Sequence, residues 1–172
     1  MGEIFLIDSN SLITPAKQYY KFEIAPKFWE QIASKIAHGD IVILDSVKNE
    51  LLRGNDELSE WVKNLNIRTY IKHNDIQILR KYSDVLISIK NNKCYKPEAL
   101  QEWAQASVAD PWLVATAATF GYTIVTFETT AGTGLSPNAP SKNPKIPDVA
   151  KIFNVKTANL YYMMSALGIR LS

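Results

Sequence analysis

Four acidic side chains stand where α/β proteins place their chemistry. Asp8 directly follows the apolar run Ile4-Phe5-Leu6-Ile7, and Glu50 lies six residues beyond a second run, Ile41-Val42-Ile43-Leu44. Asp110 opens the segment Asp110-Pro111-Trp112-Leu113-Val114-Ala115, and Glu128 stands three residues beyond Val125 in the run Tyr122-Thr123-Ile124-Val125-Thr126. Carboxylates placed where strands end and helices begin can converge on one edge of a parallel sheet. Such a cluster of like charges is costly unless a divalent cation neutralises it. Oxygen-only ligands suit Mg²⁺ or Mn²⁺ rather than zinc, and a carboxylate cage with open water positions suits phosphoryl transfer on a phosphodiester.

Each acid also has a plain structural role. Asp8 and Asp110 occupy positions that favour helix capping, and Pro111 is tolerated at a helix start. Glu50, inside the first turns of its helix, complements the helix dipole, and Glu128 reads equally as a surface loop acid. Asp148 is either one more carboxylate of the cluster or a turn residue after Pro147. Asn10 and Ser11 are placed to orient the Asp8 carboxylate or a metal-bound water, and the Thr126 hydroxyl to tie carboxylates together. Lys90, Lys93 and Lys96, set among Asn91, Asn92 and Tyr95, form either a phosphate-contacting patch or a solvated turn. Trp29, Trp61, Trp103 and Trp112 read as core or partner-facing residues rather than base-stacking ones.

The elements that must carry these residues alternate. Strands are expected over 4–7, 41–44 and 122–126, and helices over 26–37, 56–65 and 111–120. Asp45 or Ser46 is expected to cap the helix that carries Glu50. Ile76, Leu79, Tyr82, Leu86 and Ile89 mark one face of a longer helix, and Pro97 starts the next. Residues 131–147, with two glycines and four prolines, read as a long loop that is either a substrate clamp or an insertion. Val149–Phe153 reads as an edge strand, and Thr157 as the cap of a last helix ended by Gly168. The alternation predicts an α/β fold, a central mostly parallel sheet flanked by helices, in a single domain spanning residues 1–172. Ligand sites in such folds lie at the carboxyl ends of the strands.

Bulk composition bounds the rest. Nineteen Lys and Arg against seventeen Asp and Glu give a formal charge of +2, which permits an anionic substrate without requiring one. The single cysteine, Cys94, excludes an intrachain disulfide and a thiolate zinc site. His38 and His73 read as structural or surface residues. With no signal-peptide pattern and no apolar run long enough to span a bilayer, the expected location is cytoplasmic.

The segments Phe5-Leu-Ile-Asp8-Ser-Asn10-Ser11, Val47-Lys-Asn-Glu50-Leu51, Ala109-Asp110-Pro-Trp-Leu-Val-Ala115 and Ile124-Val-Thr126-Phe-Glu128 resemble PIN-domain ribonucleases in the order and setting of their acids. The resemblance runs from about residue 4 to 170. It is closest to a PIN-like subfamily known only as a domain of unknown function, which shares the Ala-Asp-Pro-Trp segment and a late Lys145-Ile-Pro-Asp148. It implies a Mg²⁺- or Mn²⁺-dependent endoribonuclease of the VapC-like toxin type, with Asp8, Glu50, Asp110 and Glu128 as catalytic metal ligands. A metal-bound water would attack phosphorus in line, with a metal stabilising the departing oxygen. It also implies an RNA substrate, a cognate antitoxin and a homodimer. Glu128 departs from the pattern, since most PIN domains carry Asp there. Two other classes compete: a catalytically silent PIN-fold module that binds RNA or protein, and a phosphotransferase or phosphatase with Asp8 as nucleophile. In the latter, Asn10 stands where a second Asp is usual.

Overall fold

Phe5, Leu6 and Ile7 are all fully buried, which is the signature of a strand covered on both faces. They form β1 (Phe5–Ile7), which pairs in parallel with β2 (Ile41–Val42) on one side and β3 (Thr123–Val125) on the other. Phe5 lies opposite both Ile41 and Thr123, and Ile7 opposite Val125. With β4 (Thr157–Ala158) the sheet order is β2-β1-β3-β4. The expected α/β class, a parallel sheet flanked by helices, is the observed one. The computed structural model describes residues 2–67 and 70–172.

The chain gathers into two compact units, one of Met1–Lys72, Thr123–Phe127 and Ala158–Ser172, the other of His73–Tyr122 and Glu128–Thr157. The first holds α1 (Asn10–Thr14), a π-helical turn at Pro15–Tyr19, α2 (Pro26–His38), α3 (Asp45–Arg53), α4 (Glu57–Lys63) and α9 (Leu160–Ala166). Phe28, Trp29, Ile32 and Ile36 recur at helical spacing and form the buried face of α2. Gly39 closes that helix at φ 87°, a left-handed conformation that favours glycine. Trp29 stacks on Phe22 at 4.2 Å and meets Trp61 edge-on at 5.0 Å, while its indole N–H donates to the Tyr20 carbonyl. Asp56 and Ser59 close α4 with reciprocal side chain to backbone bonds, a capping box.

The second unit holds α5 (Ile76–Asn91), α6 (Pro97–Trp103), α7 (Asp110–Phe120), a 3₁₀ turn at Gly132–Gly134 and α8 (Ile146–Ile152). α5 packs on α7, with the Tyr82 ring stacked on Trp112 at 3.6 Å. α7 buries Pro111, Leu113, Val114, Ala115, Thr116 and Ala117, leaving little polar face, and Gly121 at φ 74° ends it.

Several local expectations need correction. Val149–Phe153 is not an edge strand but lies mostly within α8, where Ile146, Val149 and Ala150 are buried at i, i+3 and i+4. Pro147 suits the first turn of that helix. Thr157 does not cap the last helix: it belongs to β4, and the Asn159 side chain caps α9 by accepting from the Tyr162 N–H at 2.9 Å. Asp45 and Ser46 are already inside α3, whose N-cap is Leu44. α5 buries Ile78, Val85 and Ile89 while Ile76 and Leu79 are exposed, so its inner face is rotated from the expected one. The long 131–147 segment is partly structured, with bridges Ser136 to Ala139 and Tyr95 to Ser141.

Candidate active site

In the first unit, β1 and β2 run parallel, so Asp8 and the start of α3 leave the sheet at the same carboxyl edge. The Asp8 backbone N–H extends the ladder by donating to the Val125 carbonyl at 2.9 Å. Its side chain is nearly buried, 5% exposed, and the Thr126 hydroxyl donates to Oδ2 at 3.1 Å. The Ser9 hydroxyl reaches Oδ1 only at 3.5 Å, a weak bond. Thr126 thus holds the Asp8 carboxylate itself. Ser11 does not orient the carboxylate as expected; its hydroxyl donates to the Val125 carbonyl at 3.1 Å, and Asn10 is exposed. A carboxylate removed from water is costly unless its oxygens are satisfied, and two hydroxyl donors offset part of that cost. Glu50 is half-buried on α3, on a helix anchored by Val47 and Leu51.

In the second unit, Asp110 is half-buried and is the first residue of α7. It is not the residue at the cap position, because the Ala109 carbonyl accepts the first helical bond, from the Leu113 N–H at 2.9 Å. Its charge still faces the positive end of the helix dipole. Glu128 is half-buried and its Oε2 accepts from the Ile146 N–H at 2.7 Å, so this acid caps α8 from a distance. Asp148 returns the tie: its Oδ2 accepts from the Ala131 N–H at 2.9 Å. Together the two carboxylates fasten the 128–131 segment to the start of α8.

Tyr95 carries no signal of its own in the sequence. It is 8% exposed, its hydroxyl is buried, and that hydroxyl has no hydrogen-bond partner among the described residues. Burial first, then the nearby charges of Asp148 and Cys94, push its pKa up to about 12. Only tertiary packing produces this, so no local pattern announces it.

The donor chemistry of the four predicted acids is that of a hard cation such as Mg²⁺ or Mn²⁺. Among the described residues, no group of three or more His, Cys, Asp or Glu could hold a metal ion. Asp8 and Glu50 lie in the first unit, and Asp110 and Glu128 in the second. Among the described residues no helix is long and apolar enough to cross a membrane.

Residues 5–171 match a family model described as a domain of unknown function, DUF4411. No curated protein and no solved structure matches the chain.

Proposed function

The chain belongs to the DUF4411 family, and within that family we propose that it is a metal-dependent endoribonuclease that hydrolyses RNA phosphodiester bonds, acting as the toxin of a type II toxin–antitoxin pair. The observation that carries the reading is Asp8: a nearly buried carboxylate, held by the Thr126 hydroxyl, at the carboxyl end of an inner strand of a parallel sheet. Ligand chemistry in such sheets concentrates there. Asp8, Glu50, Asp110 and Glu128 are the proposed ligands of Mg²⁺ or Mn²⁺, which when bound would supply an activated water and neutralise the leaving oxygen. Thr126 fixes one oxygen of Asp8 and so limits the rotation of its carboxylate. A cognate antitoxin and a second copy of the chain are the partners that follow from this reading.

The test is cleavage of an RNA panel with Mn²⁺. Asp8→Asn and Asp110→Asn are expected to lose cleavage and to relieve growth arrest on expression, with unchanged melting temperatures. Asn preserves an acceptor for Thr126 at position 8, so loss of activity with an intact fold identifies a role for the charge. Full activity in Asp110→Asn would overturn the assignment.

One observation favours a second reading, a non-cleaving module that binds RNA or protein. Glu128 already bonds the Ile146 N–H, which gives that acid a sufficient structural reason to be present. RNA bound in EDTA but left uncut with Mn²⁺ is the result this reading expects.

A further inference from the structure

The turn between α5 and α6 is paired with a distant loop. Tyr95 and Ser141 form a parallel bridge, in which the Ser141 N–H donates to the Cys94 carbonyl at 2.8 Å and the Lys96 N–H to the Ser141 carbonyl at 2.9 Å. The Asn92 side chain fixes the turn by accepting from the Cys94 N–H, and the Ser141 hydroxyl accepts from the Asn143 N–H. One step beyond the bridge on each strand stands a lysine, Lys96 and Lys142, both exposed. Lys90 is exposed in the last turn of α5 and Lys93 on the turn that follows it, and Lys145 is half-buried just before α8. Residues 90–98 and 138–145 thus carry five lysines against one acid, Glu98. None of the five has an ion pair among the described residues, whereas Lys35, Lys63 and Lys81 are each paired with an acid.

Like charges brought side by side on paired strands repel. A chain whose overall charge is only +2 therefore concentrates uncompensated positive charge on one double loop, at a cost that a bound polyanion relieves. We propose that this double loop is a binding strip for the sugar-phosphate backbone of a nucleic acid strand, with Lys90, Lys93, Lys96 and Lys142 reaching the phosphates. The ammonium groups are point charges on flexible stems, so the strip reads charge and not base sequence. The inference rests on the nucleic-acid substrate of the reading above and places where that substrate is held outside the acids.

The experiment is fluorescence anisotropy of labelled single-stranded RNA, and of DNA of the same sequence, titrated with the whole chain in EDTA over a salt series. EDTA separates binding from metal-dependent cleavage, which is assayed in parallel with Mn²⁺. Lys90→Ala/Lys93→Ala/Lys96→Ala/Lys142→Ala is expected to weaken binding of all sequences alike. The slope of log affinity against log salt should flatten by about 0.7 for each phosphate that a lysine no longer neutralises. The same four positions changed to Arg should keep both affinity and slope, and Lys35→Ala should change neither. An alanine variant that binds with wild-type affinity and salt slope overturns the strip. So does wild-type chain that binds phosphatidylserine vesicles but neither oligonucleotide. Strip-dependent binding by a chain that cuts nothing supports the strip while refuting the nuclease reading.

Discussion

Glu128→Ala tests how far an acid proposed as a metal ligand also holds the fold. At the start of α8, Pro147 has no N–H, and the N–H groups of Asp148 and Val149 both reach the Lys145 carbonyl, at 3.1 and 3.2 Å. The remaining donor, the N–H of the fully buried Ile146, is satisfied by Glu128 Oε2 at 2.7 Å. Removing the carboxylate leaves a buried donor unmatched, which costs about 1–3 kcal/mol. For a chain of this size each kcal/mol lowers the melting temperature by roughly 2–4 °C. Thermal unfolding followed by circular dichroism at neutral pH is therefore expected to show Glu128→Ala melting roughly 2–12 °C below the parent, combining both ranges. Glu128→Gln keeps an acceptor oxygen and loses only the charge assistance, so it should recover most of the deficit, falling about 1 kcal/mol or less below the parent. If Glu128→Ala melts with the parent, the bond from Glu128 to the Ile146 N–H contributes nothing to stability. The Gln variant also separates the two roles: preserved stability with lost Mn²⁺-dependent cleavage assigns the charge to chemistry.

Two further outcomes follow from the geometry. Tyr95→Phe removes a buried hydroxyl that has no hydrogen-bond partner among the described residues, so at neutral pH its stability should equal or exceed the parent's. Its pKa is raised from 10.0 to about 12, so the Tyr95 contribution is fully present below pH 10 and is lost as pH rises toward 12. Denaturant titrations at neutral and alkaline pH should accordingly show a shallower alkaline loss in Tyr95→Phe, and an identical loss would refute the shift. Asp56→Ala breaks the capping box in which Asp56 Oδ1 accepts from the Ser59 N–H at 3.0 Å, and should cost about 0.5–2 kcal/mol by urea unfolding.

Much of the frame was legible because it depends on local pattern. The run Phe5-Leu6-Ile7 has no polar face to present to water, and the Phe28, Trp29, Ile32, Ile36 spacing followed by Gly39 specifies a helix and its end. These signals are carried by neighbours in sequence, and tertiary packing only completes them. The misread elements are those in which local pattern is ambiguous. Val149–Phe153 is apolar enough for a strand, yet Ile146, Val149 and Ala150 form one buried helical face, and a short apolar run does not choose between the two periods by itself.

The acids divide the same way. Asp8 at the end of a strand and Asp110 at the start of a helix were readable from position, because the elements that place them are local. The tie from Thr126 to Asp8, the bond from Glu128 to Ile146, the bond from Asp148 to Ala131 and the buried Tyr95 hydroxyl were decided only in three dimensions. Each depends on which distant segment arrives beside a carboxylate or a phenol, and hydrogen bonding is short-ranged enough that an ångström of packing decides it. The sequence alone thus determined which residues have the chemistry to bind a cation or a phosphate. The tertiary structure decided which of those groups already serve the fold, since burial forces every polar atom it covers to find a partner or bear the cost.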